Sequence, residues 1–296
     1  MEALLYPGQQ YGVFNSNNTQ PPTETRVMEL FSLKGKTAIV TGAADGIGFS
    51  IVEAFAEAGA NVAFWYNSNT EAIDKATKVA NSYNVECKAY KVDISIEEEV
   101  IKTIEQNIRD MNGRLDVFVA NAAVPWLGGR ILDSKTEDFT KMLNVNYVST
   151  YYAAKAAGQH FRRQKLEGID IFGKPLENYA TGSFIVTSSG STLRGPLPQA
   201  MTPYSAAKSA TEQFVRGLAI EWATFARVNS VCPGYITTKM LDKVPDELRK
   251  IWAGQTPMGR EGSVAECKGL YLYLASDASS YCTGANMVLD GGYTLL

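Results

Sequence analysis

Tyr204 and Lys208 are the residues of this 296-residue chain whose types and spacing could do acid–base chemistry. They lie four apart in the run TPYSAAK at 202–208. If Thr202 caps a helix that Pro203 opens, both side chains project from one face at neighbouring turns. A free phenol titrates near pH ~10, and a nearby ammonium favours the phenolate and lowers its pKa. The pair therefore predicts a tyrosine that both donates and accepts protons.

An earlier glycine segment, TGAADGIG at 41–48, could form a turn that binds a nucleotide beside this pair. It follows a short apolar, partly β-branched run and precedes a helical pattern that stops at Gly59. In such a unit Gly42 permits the tight turn, Gly46 lets the backbone approach a pyrophosphate, and Gly48 lets helix and strand pack closely. The spacing departs from the common G-x-G-x-x-G form, so a glycine-rich turn without a ligand stays open as an alternative.

The elements that must position these residues alternate regularly along the chain. Strand-like segments are predicted at 38–40, 61–65, 87–92, 117–120, 183–187, 227–231 and 286–290, with helix-like segments between them. This alternation is typical of a parallel, doubly wound α/β sheet with helices on both faces. With 45% hydrophobic content, residues 30–296 are expected to form one large domain of about seven strands.

Composition restricts the partners of the chain. Its net charge is −3 and its pI about 5.4, without a dense Lys/Arg cluster, so neither nucleic acid nor an acidic membrane surface is an expected partner. No apolar run reaches about 18 residues, which predicts that no membrane span is present. A diffusible small molecule fits these features better as the substrate.

Cysteine and histidine usage predicts that the chain holds no metal. Its four cysteines include no C-x-x-C pair, and a single histidine, His160, leaves too few soft ligands for a zinc site. The thiols are expected to be reduced. His160 lies in a helical run and is expected to be packed or exposed rather than catalytic, because the tyrosine system requires no histidine base.

Residues 1–29 differ from the rest of the chain. They are rich in Asn, Gln, Thr and Pro and show no helical or strand period, which predicts a flexible or surface-draped extension. The extension has no basic start followed by an apolar stretch, so it indicates neither a secretory signal nor a mitochondrial presequence. A cytoplasmic location is therefore expected.

Further motifs strengthen the pattern: NAA at 121–123, NVNY at 144–147, TGSFIVTSS at 181–189 and PGYITT at 233–238. With the two motifs above, residues 30–296 resemble the classical short-chain dehydrogenase/reductase family, which implies a Rossmann-type fold. The resemblance implies hydride transfer between a nicotinamide and a carbon that bears oxygen. Tyr204 would protonate the carbonyl oxygen, and Lys208 would bind the nicotinamide ribose and lower the tyrosine pKa. Asn146 would hold a water that links Lys208 to solvent.

The serine that orients the carbonyl oxygen must be chosen among Ser188, Ser189 and Ser191. The spacing in much of the family favours Ser191. The subgroup that resembles yeast carbonyl, sorbose and mannitol-type reductases places the serine two residues further from the tyrosine. This chain shares LFSLKGK at 30–36 and WYNS at 65–68 with that subgroup. We therefore predict Ser189, with Ser191 as the alternative.

The resemblance also implies a set of cofactor contacts. They fall on Gly42, Asp45, Gly46, Ile47, Gly48, Asn67, Ser68, Asp93, Ile94, Asn121, Tyr204, Lys208, Pro233, Gly234, Ile236 and Thr238. An acidic residue after the second strand would repel a 2′-phosphate, and here Asn67 and Ser68 stand instead, so NADP(H) is favoured. Asp45 argues the other way, because a carboxylate beside a phosphate is unfavourable, and NAD(H) stays open.

The function that these features favour is an NADP-dependent carbonyl or ketose reductase, equivalently an alcohol or polyol dehydrogenase. A 3-oxoacyl carrier-protein reductase and a non-catalytic nucleotide-sensing module are the alternatives. Residues 164–182 are predicted to be a surface insertion and residues 238–262 a substrate lid. Pocket-lining candidates are Trp126, Leu193, Pro198 and Tyr235. Family members usually pair two helices across a dimer, and a homotetramer is expected here, with a dimer second.

Overall fold

The computed structural model describes residues 9–10, 13–14, 17–195, 198–241 and 244–295. Its strands and helices, in chain order, are β1 (Gln9–Gln10), β2 (Val13–Phe14), α1 (Val27–Leu30), β3 (Thr37–Val40), α2 (Gly46–Glu57), β4 (Asn61–Tyr66), α3 (Glu71–Tyr83), β5 (Cys87–Lys91), α4 (Glu97–Asp110), β6 (Val117–Ala120), α5 (Thr136–Leu143), α6 (Ser149–Glu167), β7 (Gly182–Thr187), α7 (Thr202–Glu221), β8 (Ala226–Pro233), α8 (Asp246–Gly254), α9 (Val264–Ala275) and β9 (Asn286–Leu289).

Seven of these strands form one parallel sheet in the order β5-β4-β3-β6-β7-β8-β9. From β3 the chain builds outward to β5, and from β6 it builds in the opposite direction to β9. The carboxyl ends of β3 and β6 therefore flank the point at which the strand order reverses. In open α/β sheets the crevice at such a point is where ligands bind.

The core consists of two layers, one on each face of the sheet. In β4, Val62 and Phe64 pack with residues of α2, α3 and α9, whereas Ala63 and Trp65 pack with residues of α4, α6 and α7. Because both faces are covered, the central strands are apolar throughout instead of alternating with polar residues. The predicted doubly wound sheet with helices on both faces is confirmed.

All seven predicted strands are present, with boundaries within two residues of those observed. Two details of the helices were predicted wrongly. Helix α2 begins at Gly46, because the glycine segment itself forms the first turn and Asp45 occupies the N-cap. Thr202 is not the cap of α7. It is the first helical residue, the N-cap position falls on Met201, and no side chain caps this end, while Pro203 lies in the first turn as predicted.

The predicted insertion at 164–182 starts inside α6, which continues to Glu167 and ends at Gly168 with φ of 67°. The following loop is organised by Asp170, whose Oδ1 accepts hydrogen bonds from the backbone N–H groups of Phe172 and Lys174. The Phe172 side chain is exposed. At the other end of the chain, α1 spans the predicted domain boundary at residue 30, and flexibility of residues 1–29 stays a prediction.

The sequence predictions about a membrane span, the cysteines, a metal site and His160 can be compared with the structure. None of the helices that the structure describes is long and apolar enough to cross a membrane. All four cysteines are free, and burial raises the pKa of the Cys87 thiol to about 12. Within the described ranges, no group of three or more His, Cys, Asp or Glu side chains is placed to hold a metal ion. His160 pairs with Glu105 at 3.0 Å, and burial lowers its pKa.

A buried ion pair fixes the start of β6 to β3. Asp116 Oδ2 accepts hydrogen bonds from the Thr37 N–H at 2.8 Å and from Arg114 Nε at 2.8 Å, and Arg114 Nη2 bonds the other carboxylate oxygen. Both side chains are less than a tenth exposed. Removal of one partner would leave the other charge buried without compensation, which is far costlier than the loss of a surface pair.

We expect Arg114→Ala to lower the free energy of unfolding by about 3 kcal/mol, measured by urea denaturation. The exposed Arg162→Ala is the control and should change it by less than about 0.5 kcal/mol. The double variant Arg114→Ala/Asp116→Asn should regain part of the loss, because the uncompensated charge is gone. Equal stability of Arg114→Ala and the control would contradict this account.

Candidate active site

A cavity of about 1490 Å³ opens where the strand order reverses. It is walled by the loops that follow β3, β4, β5, β6, β7 and β8. Sequence-predicted site residues that line it are Gly42, Asp45, Gly46, Ile47, Gly48, Asn67, Asp93, Ile94, Asn121, Ser189, Tyr204, Lys208, Pro233, Gly234, Ile236 and Thr238. Ser68 and Asn146 are not among the lining residues. Residues from distant parts of the sequence thus meet at one crevice, as the motifs predict.

The glycine loop forms a cradle that larger residues would fill. Gly42 has φ of 61°, and a Cβ there would lie 2.6 Å from Ala122 Cα. A Cβ on Gly48 would lie 2.4 Å from the Gly42 carbonyl oxygen. The loop therefore packs directly against the end of β6 and presents the N-terminus of α2 to the cavity. Backbone N–H groups at a helix N-terminus suit a phosphate group, so this cradle fits the pyrophosphate of a dinucleotide.

Asn121 fastens the glycine loop to two neighbouring strands. Its Nδ2 donates to the carbonyl oxygens of Thr41 at 3.1 Å and Gly42 at 3.2 Å, and its Oδ1 accepts from Thr187 Oγ1 at 3.0 Å. Thr41 Oγ1 in turn accepts from the N–H groups of Asn121 and Ala122. Sequence reasoning missed Thr41 and Thr187. Their signal was a threonine at the carboxyl end of an otherwise apolar strand.

Tyr204 and Lys208 project from one face of α7 into the cavity, with Lys208 Nζ 5.9 Å from the centre of the tyrosine ring. Lys208 is buried, and its Nζ donates to the Thr187 carbonyl oxygen at 2.7 Å. Burial lowers the pKa of Lys208 to about 8, because the charged form loses hydration. The buried ammonium therefore titrates close to neutral pH.

The prediction that Lys208 lowers the pKa of Tyr204 is wrong for this structure. Burial is the largest influence on the phenol and raises its pKa, while a hydrogen bond from Ser189 acts in the opposite direction. The ammonium of Lys208 instead donates to the Thr187 carbonyl oxygen, and burial lowers the pKa of Lys208 itself, which disfavours its charged form. Tyr204 is consequently held in its protonated form at neutral pH.

The geometry favours Ser189 over its neighbours as the partner of Tyr204. The Ser189 side chain is close enough to Tyr204 to lower the pKa of the phenol, and its Oγ accepts a hydrogen bond from the Ser191 N–H at 3.2 Å. Ser188 Oγ turns away and donates to Glu212 at 2.9 Å. The hydroxyl of Ser191 is buried, and no partner for it lies among the described residues. The catalytic role of Ser189 stays a prediction that this arrangement supports.

Asn146 lies behind the cavity wall, in a π-helical turn at Asn144–Val148. Its side chain bonds the Val124 backbone twice, accepting from the N–H at 2.8 Å and donating to the carbonyl oxygen at 2.9 Å. These two bonds use one lone pair of the oxygen and one N–H of the amide, and the water that Asn146 would hold stays a prediction.

The rim of the cavity beyond β4 carries neutral groups and two lysines that share one carboxylate. Asn67 is exposed there, and no acidic residue follows β4 before α3. Sequence reasoning missed Lys239, which lines the cavity, and Lys75, whose Nζ donates to the Ala44 carbonyl oxygen at 2.6 Å. Both ammonium groups pair with Glu71, at 3.5 and 3.7 Å. No spacing in the sequence signals that these residues meet.

An aromatic wall closes the other end of the cavity. The ring of Tyr235 stacks on Trp252 of α8 with centroids 4.0 Å apart, and Tyr293 meets Tyr235 edge-on at 5.1 Å. Arg194 lies over the Tyr293 ring at 4.6 Å. Of the four predicted pocket residues, Trp126 and Tyr235 line the cavity, whereas Leu193 and Pro198 do not. Sequence reasoning missed Tyr293, which lies near the end of the sequence in no recognisable motif.

The predicted lid is docked against this wall. Trp252 is buried, and Met240, Leu241 and Val244 also line the cavity, whereas Ile251 is exposed. Residues 242–243 of the predicted lid lie outside the described residues. Arg249 bonds Glu261 through Nε and Nη2, at 2.8 and 2.6 Å, and Glu261 accepts from Thr237 Oγ1. These contacts tie α8 to the loop that follows β8.

A family model described as enoyl-(acyl carrier protein) reductase matches residues 42–294. L-xylulose reductase from Hypocrea jecorina is 51% identical over 284 residues, covering 96% of this chain and 99% of that protein. The chain belongs to the short-chain dehydrogenase/reductase family. A probable NADP-dependent mannitol dehydrogenase of Yarrowia lipolytica is 43% identical, with 92% of each chain covered.

Among solved structures, the NADPH-dependent 3-quinuclidinone reductase of Rhodotorula rubra has a TM-score of 0.85 and 36% identity. The match covers 94% of this chain and 98% of that one. These comparisons confirm the predicted family and the subgroup of sugar and polyol reductases, and they confirm that the chain is an oxidoreductase. They leave the catalytic residues and the oligomeric state as predictions.

The alkaline limb of the activity profile tests the Lys208 environment. Its ammonium is present below pH 8 and is lost as the pH rises through about 8, so kcat/KM for carbonyl reduction should fall there. Lys208→Arg keeps its charge at higher pH, so whatever activity it retains should lack this limb. The exposed Lys102→Arg is the control and should keep it. A wild-type profile that stays flat from pH 7 to well above 8 would refute the assignment.

Proposed function

We propose that this protein is an NADPH-dependent reductase of ketoses that interconverts a ketose and the corresponding polyol. The observation that carries the proposal is the meeting of Tyr204, Ser189 and Lys208 at the wall of a cavity that also holds the glycine cradle. The family membership and the names of the relatives, which act on xylulose and mannitol, support it.

The bound cofactor would supply the hydride that reduces the carbonyl carbon. Tyr204 donates its proton to the carbonyl oxygen as negative charge develops on that oxygen. The raised pKa of Tyr204 keeps the proton in place until then. Ser189, whose side chain lies beside Tyr204, would turn its hydroxyl to the same oxygen and orient it. The carbonyl gains one hydride and one proton and becomes an alcohol.

Lys208 and the glycine loop position the cofactor in this proposal. The Lys208 ammonium would bond the nicotinamide ribose. The N-terminus of α2 would hold the pyrophosphate, and Pro233 and Gly234 would bracket the nicotinamide. Asn67 and Ser68, with Lys239 at the same rim, would receive the 2′-phosphate of NADPH. No carboxylate lies in the described residues between β4 and α3, which supports this preference, although Glu71 at the start of α3 pairs with Lys239 and Asp45 lines the same cavity.

The decisive assay follows oxidation of NADPH by wild type and Tyr204→Phe across ketoses, aryl ketones, diketones and an acetoacetyl thioester. We expect turnover of ketoses by wild type and a loss of at least about a hundredfold in Tyr204→Phe, because the proton donor is removed. NADPH binding by the variant, followed by fluorescence, should be retained. Tight NADPH binding without turnover of any carbonyl would support the sensing module, and turnover of the thioester alone would support the carrier-protein reductase.

The proposed 2′-phosphate contact is tested by a charge placed beside it. Asn67→Asp should raise the KM for NADPH at least about tenfold and change the KM for NADH much less, because a carboxylate there repels the 2′-phosphate. Asn81→Asp makes the same change of charge on the exposed face of α3 and should leave both values unchanged. Equal effects of Asn67→Asp on the two cofactors would remove Asn67 from the phosphate site.

A further inference from the structure

Glu212 is a buried acid on the same face of α7 as the proposed catalytic pair. It follows Tyr204 by eight residues and Lys208 by four, so the three side chains lie along one stripe of the helix. Its side chain is only 5% exposed. None of the cations among the described residues pairs with it; every polar contact of its carboxylate is with a neutral group.

The carboxylate gathers donors from three separate segments. Oε1 accepts from Ser188 Oγ at 2.9 Å, from Cys232 Sγ at 3.2 Å and from Thr192 Oγ1, whereas Oε2 accepts from Asn286 Nδ2 at 2.8 Å. Ser188 and Thr192 belong to the loop after β7, Cys232 lies in β8, and Asn286 begins β9. One side chain thus joins α7 to the carboxyl ends of two strands and to the edge strand.

The segments that Glu212 holds are those that carry the reacting groups. Ser188 directly precedes Ser189, and the Thr192 hydroxyl shares its one proton between the carboxylate and the Ser189 carbonyl oxygen, which lies 2.7 Å away. Cys232 directly precedes Pro233 and Gly234, which line the cavity. Because Tyr204 lies on α7 itself, the carboxylate fixes the serine loop and the loop after β8 relative to the proton donor.

Packing alone does not require an acid at this position. Burial of a carboxylate costs several kcal/mol of hydration, and an apolar residue of similar size would stabilise the core as well or better. A network in which every member is bonded instead defines one arrangement of the groups it joins. The four converging donors therefore indicate that Glu212 serves geometry rather than stability.

We propose that Glu212 is a positioning residue. It holds Ser189 and the loop after β8, which contains Pro233 and Gly234, in a fixed position relative to Tyr204. The inference rests on the proposed function for its kinetic consequence. Its structural consequence, the immobilisation of two cavity loops by one carboxylate, can be tested without any turnover.

The test compares Glu212→Gln with wild type. Gln keeps the size of the side chain but turns one acceptor into a donor, so it opposes at least one of the four donors. We expect kcat for ketose reduction to fall at least about tenfold, because small displacements of reacting groups are costly. The dissociation constant of NADPH should change less than about twofold, and the isotope effect with 4-deuterated NADPH should rise as hydride transfer becomes slower.

Two matched variants separate position from charge and from fold. Glu221→Gln makes the same substitution at an exposed site on the same helix and should leave kcat unchanged. Ser188→Ala removes a single donor and serves if Glu212→Gln does not fold. Its effect should be smaller than that of Glu212→Gln, and the two effects should not add in the double variant, because they act on one network.

Hydrogen exchange of the cofactor-free protein gives the readout that is independent of activity. In Glu212→Gln, peptides covering 188–195 and 231–237 should exchange faster, while peptides covering 50–65 should not change. Unchanged exchange in the two loops, or an unchanged kcat, overturns the inference. Faster exchange throughout the sheet together with loss of NADPH binding also overturns it, since the role is then only structural. If wild type reduces no ketose, the proposed function fails, and the exchange comparison still decides the role of Glu212.

Discussion

The close approach between the glycine loop and the end of β6 is the constraint on which the cavity depends. A Cβ on Gly42 would lie 2.6 Å from the backbone of Ala122, so only glycine lets the two strand ends meet at this distance. Asn121 then bonds across the gap in both directions, to Gly42 and to Thr187. This contact thereby places the glycine cradle, the end of β7 and the N-terminus of α2. As a result, one wall is shared by the proposed cofactor site and the proposed catalytic site.

Tyr204 and Lys208 lie on one face of α7, against the wall that the proposed cofactor site and catalytic site share. Tyr204 is partly buried and Lys208 fully buried, and this burial raises the pKa of the phenol and lowers that of the ammonium. The two groups have nearly equal acidity in water, and here the ammonium becomes the stronger acid of the two. The backbone carbonyl of Thr187 orients the ammonium, and Ser189 orients the phenol, so neighbouring residues of one strand end control both groups.

The sheet and most of the cavity could be predicted from sequence, because strand, turn and helix each leave a local pattern. The run at 36–41 is apolar because both faces of β3 are covered, and the glycines after it mark a turn that no other residue permits. The prediction of Thr202 as the N-cap of α7 was wrong because proline is accepted in the first turn whichever residue precedes it. Glu212, Tyr293 and Lys239 could not be found in this way. Their importance comes from contacts between segments far apart in the chain, and such contacts leave no periodic signal.

The contacts that hold the predicted lid are separate from those that hold the sheet. Helix α8 is held to the loop after β8 by the Tyr235–Trp252 stack and by the Arg249–Glu261 pair, which also engages Thr237. An aromatic pair contributes about 0.5–1.5 kcal/mol beyond its buried area. Undocking of α8 would break these contacts and expose Trp252, but it would break no hydrogen bond of the sheet. Exchange of small molecules with the cavity then needs no disturbance of the strands that position the reacting groups.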